Sequence, residues 1–146
     1  MCGIIGLFTN SDVFRDLYQE RSEATLSALA DLLPAARWTT PRGGFYVWVT
    51  VPDGIDATAM LPRAVTERVA YVPGTAFYAD GQGRQNMRLS YCYPTPERIR
   101  EGVRRLAAVI DAELEVLQTF GARGVADVDT ARDTSARVDS PAPDLT

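Results

Sequence analysis

The sequence contains no lysine and no histidine, so all 15 of its basic side chains are arginines. Imidazole is the side chain that most often serves as a general base near neutral pH, and it is a leading metal ligand. The lysine amine is the group that forms Schiff bases with carbonyl cofactors. These two absences exclude a Ser/His/Asp triad, a histidine-based metal site and a covalently held carbonyl cofactor within this chain.

Cysteine is scarce, and long apolar runs are missing. Cys2 and Cys92 can form at most one disulfide bridge. The apolar run at residues 4–8 is too short for a secretory signal core, and no stretch approaches the roughly 20 apolar residues of a membrane span. We therefore expect a reducing, cytoplasmic setting with two free thiols and no membrane partner.

Concentrated positive charge is also lacking. The net charge is -4, and the arginines are scattered among 19 acidic residues. A nucleic-acid-binding surface needs clustered basic residues, so we expect no nucleic-acid partner. With 146 residues, 46% of them hydrophobic, the chain is long enough to bury one core.

The first half of the chain predicts a helix and two strands. Apolar residues recur at helical spacing over residues 12–33 and stop at Pro34. Residues 35–40 form a short strand candidate. Every residue of the run Phe45–Val51 is β-branched or aromatic, which predicts an interior strand covered on both faces.

The second half predicts a helix from Asp56 to about residue 68, strands at residues 69–72 and 86–93, and a final helix. Pro62 is expected where the regular part of the second helix begins, because proline fits only the first turn. Thr95 caps the final helix and Pro96 takes its first position. The apolar stripe of this helix predicts an end near Gly121.

These elements predict an α+β fold in which a small, mostly antiparallel sheet packs against helices. We divide the chain into an N-terminal extension at residues 1–11, a small domain at residues 12–120 and a tail at residues 121–146. The tail has no aromatic residue and contains a Pro-Ala-Pro segment near its end, so we expect it to be disordered.

Four segments in this order resemble a known family. They are Gly43–Trp48 (GGFYVW), Tyr71–Tyr78 (YVPGTAFY), Met87–Tyr91 (MRLSY) and the helix Pro94–Ile110. Together they resemble the C-terminal small domain of class I and II, fold type I aminotransferases that depend on pyridoxal 5'-phosphate. The match is closest to the branch of the 2-aminoadipate and aromatic aminotransferases, which also includes the aminotransferase-like part of the MocR-type transcription regulators.

The resemblance implies transfer of an amino group between an amino acid and a 2-oxo acid. In the family, the arginine of the Arg-Leu-Ser strand binds the substrate α-carboxylate, and Arg88 occupies that position. Strand alternation agrees, because it places Met87, Leu89, Tyr91 and Tyr93 on one face and leaves Arg88 on the other with Ser90 and Cys92. The alternative from the pattern alone is a structural ion pair or a solvent-facing strand residue.

The aromatic residues of these motifs have simpler interpretations. We expect Phe45, Tyr46 and Trp48 to be core residues and Pro73-Gly74 to be a turn. The resemblance places the segment after that turn near the mouth of the family's active site. On that ground Phe77 and Tyr78 are expected to line a substrate pocket.

The chain departs from the family in what it lacks. The family's large domain supplies the lysine, the aspartate on the pyridine nitrogen and the phosphate-binding loop, and none of these has a counterpart here. We therefore expect no cofactor-binding, catalytic or metal-binding residue in this chain, which as an isolated portion of an aminotransferase would be inactive. Its expected partners are the missing large domain or a partner subunit, and a homodimer, since the family works as dimers.

Two alternatives remain open at this stage. Residues 1–8 resemble the start of the class II glutamine amidotransferases, in which methionine removal exposes a cysteine nucleophile, here Cys2. The terminal amine serves as the base in that mechanism, so the absence of histidine does not exclude it. The other alternative is a non-catalytic module that binds a carboxylate through Arg88 or assembles with another chain.

Overall fold

The computed structural model describes residues 11–133, with side chains from residue 15 to residue 120. Within that range the elements follow in the order α1 (Ser11–Leu32), β1 (Arg37–Trp38), β2 (Tyr46–Thr50), α2 (Ala57–Thr66), β3 (Val72–Pro73), a 3-10 turn (Gly74–Phe77), β4 (Asn86–Ser90) and α3 (Pro96–Asp133). The described residues up to Glu113 form one compact unit, and those from Leu114 onward form a second.

The four strands form one sheet in the order β1-β2-β4-β3, and every pairing is antiparallel. The α+β prediction is confirmed. The two central strands, β2 and β4, pair along their full lengths, with Tyr46 opposite Ser90 and Thr50 opposite Asn86. The interior position predicted for the Phe45–Val51 strand is therefore confirmed.

The two faces of the central strands differ in burial. Val47, Val49 and Met87 are fully buried on one face. The other face, which we call the open face, carries Tyr46, Trp48 and Thr50 of β2 opposite Ser90, Arg88 and Asn86 of β4. Tyr46 is 38% exposed. The prediction that β2 is covered on both faces is thus wrong, because the helices bury only one of them.

The buried face of the sheet and all three helices contribute to one core. Thr25 of α1 is buried, and its hydroxyl is satisfied because it donates to the carbonyl of Arg21 at 2.8 Å. The core side chains include Leu29, Leu33, Val47, Val49, Met60, Met87, Tyr91, Ile99, Val103, Leu106 and Ile110. Burial at residues 99, 103, 106 and 110 follows the apolar stripe predicted for the final helix.

Helix α2 begins where its capping residue places it. The Asp56 carboxylate accepts from the amides of Thr58 at 2.8 Å and Ala59 at 3.2 Å, which satisfies two of the amides that lack a partner within the helix. The predicted role of Pro62 is wrong, because Pro62 lies inside the helix and not at its start. The Asp56 cap offsets the hydrogen bond that proline removes.

Helix α3 begins at Pro96 as predicted but does not end at Gly121, since it continues to Asp133. Residues 122–133 contain no proline and several good helix formers, so the backbone can continue as a helix where the apolar stripe has stopped. The predicted end was therefore wrong. Residues 134–146 lie outside the described residues, and disorder there stays a prediction.

Two glycines allow the segment before β4 to pack closely. A Cβ atom at Gly74 would lie 2.4 Å from the carbonyl oxygen of Gly83 and 2.5 Å from the Cβ of Asn86. A Cβ atom at Gly83, whose φ is +81°, would lie 2.4 Å from the ring of Tyr78. The 3-10 turn is thus held against the loop that leads into β4.

The close packing at Gly74 predicts that alanine is less well tolerated there than at an open glycine position. Gly74→Ala forces backbone to move, and we expect it to lower the free energy of unfolding by about 1–3 kcal/mol. Gly102 lies inside α3, and a Cβ there meets nothing within 4 Å. Gly102→Ala is therefore the matched control and should raise stability by up to about 1 kcal/mol. Urea denaturation of both variants tests this, and equal effects of the same sign would contradict it.

Glu101 on α3 forms hydrogen-bonded ion pairs with Arg104 and Arg105. Its carboxylate accepts from Arg104 Nε and Nη2, both at 2.8 Å, and from Arg105 Nε at 2.7 Å. These hydrogen bonds lower the pKa of Glu101 from 4.5 to about 2. Arg105 also donates to the carbonyl of Glu67, just beyond the last residue of α2, at 3.3 Å. The cluster thereby connects two helices.

This lowered pKa predicts the direction of a pH effect. A carboxylate whose pKa falls on folding stabilises the folded state above its unfolded value, and that contribution is lost as the pH falls from about 4.5 towards 2. We expect a Glu101→Gln variant to lose stability less steeply than the wild type over this interval. Thermal melts at a series of pH values measure the difference, and parallel curves would refute it.

Candidate functional site

Arg88 lies at the centre of the open face. It stands on β4 directly opposite Trp48 of β2 on one side and Val72 of β3 on the other. Met87, its neighbour in sequence, is fully buried on the opposite face. The predicted alternation along this strand is confirmed for these two residues. It does not extend to Tyr93, which is 89% exposed, because the strand ends at Ser90.

Aromatic rings surround the guanidinium of Arg88. Its central carbon, Cζ, lies over the ring of Tyr46 at 4.1 Å and over the ring of Phe77 at 4.8 Å from the two centroids. Both distances are within the range of cation–π attraction. Phe77 is held in turn by Trp48, whose ring meets it edge to face at 5.3 Å, and the ring of Tyr78 lies 6.3 Å from Trp48.

The hydrogen-bonding capacity of Arg88 is unused within the described part of the chain. Its Nε is buried and has no hydrogen-bond partner there, and no carboxylate among those residues pairs with it. Leaving a buried donor unsatisfied costs roughly 1–3 kcal/mol. The structural ion pair that was the alternative for Arg88 is therefore not present among the described residues.

Exposure corrects the prediction for the motif aromatics. Phe45 and Tyr46 are 40% and 38% exposed, so they are not core residues, and Trp48 is half-buried. Phe45 instead packs against Tyr18 of α1 in a tilted arrangement, with the centroids 4.6 Å apart. The polar neighbours of the open face are organised as well, since Asn86 donates to the hydroxyl of Thr50 at 2.8 Å.

Other candidate groups contribute little to this site. Cys2 lies outside the described residues. Cys92 is a free thiol at 3.1 Å from the hydroxyl of Ser90. No group of three or more potential metal ligands occurs within residues 15–120, and no helix in the described chain has the length and apolarity of a membrane span. A depression of about 660 Å³ near Tyr78 is lined by residues 54–56 and 81–86 and does not include Arg88.

The ligand that best matches the guanidinium of Arg88 is a carboxylate. A guanidinium offers planar N–H groups that match the two oxygens of a carboxylate with parallel hydrogen bonds. The rings of Tyr46 and Phe77 attract its cation without accepting those hydrogen bonds. The open face therefore presents a positive group that two rings hold in place and that no described carboxylate pairs with.

Comparison with known proteins shows that this chain is similar to aminotransferases. The aromatic-amino-acid aminotransferase 1 of Thermococcus litoralis is 46% identical over 101 residues, which are 68% of this chain and 24% of that enzyme. The multiple substrate aminotransferase of Thermococcus profundus superposes with a TM-score of 0.66 at 46% identity, over 68% of this chain and 25% of that one. The chain is homologous to a part of the aminotransferases. No protein-family model matches it.

A second aminotransferase structure identifies the cofactor of the family. The α-aminoadipate aminotransferase of Thermus thermophilus, solved with N-(5'-phosphopyridoxyl)-L-leucine, is 41% identical with a TM-score of 0.66, over 70% of this chain and 26% of that one. The parent family thus uses pyridoxal phosphate. This chain does not fit the covalent role, because it contains no lysine. It spans about a quarter of the length of these aminotransferases, and the amidotransferase alternative is not favoured.

Sequence reasoning missed the part played by Tyr46. The alternation of β2 showed that Tyr46, Trp48 and Thr50 share a face, but it did not show which strand would pair with them. The register that sets Trp48 opposite Arg88 joins residues 40 positions apart in the sequence. This pairing could have been predicted by noticing that both strands alternate between buried and less buried residues, and by placing their less buried faces on the same side of the sheet.

Proposed function

We propose that this chain supplies the carboxylate-binding side of an aminotransferase site, in which an amino group passes between an amino acid and a 2-oxo acid. The observation that supports it most directly is Arg88, a positioned guanidinium with a buried, unpartnered Nε on the open face. A substrate α-carboxylate bound at this guanidinium would receive a charge-assisted, bidentate pair of hydrogen bonds.

The chemical step belongs to groups that this chain does not contain. Pyridoxal phosphate, when bound, withdraws electrons from the amino acid, and a lysine is required to hold it covalently. The proposed role of this chain is therefore to bind the substrate and orient it. By itself it is expected to bind a carboxylate weakly and to catalyse no transamination.

A chimera tests the role of Arg88. The segment of this chain that matches the Thermus thermophilus α-aminoadipate aminotransferase replaces the corresponding segment of that enzyme. We expect Arg88→Lys in the chimera to lower kcat/KM by about tenfold to a hundredfold, because an ammonium cannot form the bidentate pair. Steady-state kinetics with the enzyme's amino donor measure the effect.

Arg84→Lys is the matched control for this chimera. Arg84 lies four residues earlier, its side chain is 74% exposed, it pairs with Asp56 at 3.4 Å and it makes none of the ring contacts of Arg88. We expect its kcat/KM to stay within about twofold of the unsubstituted chimera. If Arg88→Lys were as active as Arg84→Lys, the assignment of Arg88 would fail.

We also propose that the open face and the 3-10 turn next to it dock onto the remaining part of an aminotransferase or onto a second copy of this chain. Tyr46, Phe77 and Tyr78 are 38%, 47% and 40% exposed and lie close together. Large aromatic side chains grouped on a surface are typical of an interaction site. The family relatives are about four times as long as the matched segment, which leaves ample chain to cover this face.

Self-association of the isolated chain follows from this proposal. We expect the sedimentation coefficient to rise with protein concentration and the rise to shrink in a Phe77→Ser variant. Val65→Ser is the control, because Val65 is 54% exposed on α2 but lies outside the aromatic group. A clean monomer over a wide concentration range, or equal effects of both substitutions, would count against docking through this face.

A further inference from the structure

The contacts of Arg88 point beyond the arginine itself to what holds it. An arginine side chain carries about 2 kcal/mol of rotamer entropy, so an unpaired one is ordinarily mobile. Here the guanidinium carbon lies over two rings, at 4.1 Å from the centroid of Tyr46 and 4.8 Å from that of Phe77. Within the described residues no ion pair fixes Arg88.

The two rings come from separate elements that are themselves fixed. Tyr46 is the first residue of β2, with its backbone in the central ladder opposite Ser90. Phe77 ends the 3-10 turn, and its ring packs edge to face on Trp48 at 5.3 Å. The close approach of Gly74 to Gly83 and Asn86 anchors the start of that turn.

A ring holds a guanidinium in a different way from a carboxylate. The attraction acts between the cation and the face of the π system, so it consumes none of the N–H donors at the edge of the guanidinium. A carboxylate partner would occupy that edge and compete with a ligand. The two rings therefore order the side chain without using its donors, which agrees with the absence of a hydrogen-bond partner for Nε among the described residues.

We propose that Tyr46 and Phe77 are positioning residues, which hold the guanidinium of Arg88 so that its edge meets the ligand carboxylate. The inference rests on the proposed carboxylate-binding function of Arg88. It assigns the contribution of Tyr46 to the ring and not to the hydroxyl. Loss of either ring should thus weaken carboxylate binding without removing any group that touches the ligand's oxygens.

The first test needs no ligand. In the full-length chain, NMR of the arginine Nε–H groups should show the Arg88 signal shifted by ring currents and its proton exchanging slowly with water. Tyr46→Leu and Phe77→Leu should each move the signal towards the positions of mobile arginines and speed the exchange. Tyr46→Phe keeps the ring and should leave the signal in place, whereas an unchanged signal in both leucine variants would overturn the inference.

The second test measures binding of 3-phenylpropionate, a carboxylate probe, to the same chain by NMR titration. We expect Tyr46→Leu and Phe77→Leu to weaken it by about threefold to thirtyfold, the range of one cation–π contact. Tyr46→Phe should bind like the wild type. In an Arg88→Met background the two leucine substitutions should have no further effect, because they act through the arginine.

The outcomes separate the inference from the function on which it rests. If Arg88→Met abolishes binding while the leucine variants bind like the wild type, the positioning role is wrong and carboxylate binding stands. If the wild type shows no specific binding, or if Arg88→Met binds as tightly as the wild type, the proposed function fails, and the Nε–H measurement still decides whether the rings order Arg88. Thermal melts confirm that each variant is folded, and Tyr46→Phe supplies the conservative rescue.

Discussion

The pairing of β2 with β4 is the constraint on which the site depends. It sets Trp48 opposite Arg88 and brings Tyr46 onto the same face, while Val47, Val49 and Met87 are buried on the other side. A shift of one residue in this register would exchange the two faces. The burial of the apolar face thus fixes the position of the guanidinium among its rings.

The sequence predicted the elements well but not their surroundings. The helix over residues 12–33, the Asp56 cap and the start of α3 follow from periodicity and capping chemistry, which act locally. The extent of α3 did not follow, since helix propensity continues where the apolar stripe ends. Pro62 was misplaced for a related reason: a strong cap and tertiary packing tolerate a proline that propensity alone would exclude.

The site was predictable to the level of Arg88 and no further. The family resemblance selected this residue, strand alternation placed it away from the apolar face, and the structure supplies the ring contacts and the unpartnered Nε. Burial of Tyr46 was misjudged because an aromatic strand residue is apolar whether or not anything covers it. This chain spans a quarter of the length of its relatives, and under the proposed docking the missing part would cover these exposed rings.

The strand order also determines when this chain can fold during its synthesis. β2 is made early, yet its main partner, β4, follows only after α2, β3 and the 3-10 turn. At roughly 5–20 residues per second on the ribosome, several seconds pass between the two strands. During that interval the two-residue strand β1 can pair with one edge of β2, and the other edge still lacks β4. A nascent chain interrupted before Asn86 would therefore expose an unpaired, aggregation-prone strand edge to the cell's chaperones and proteases.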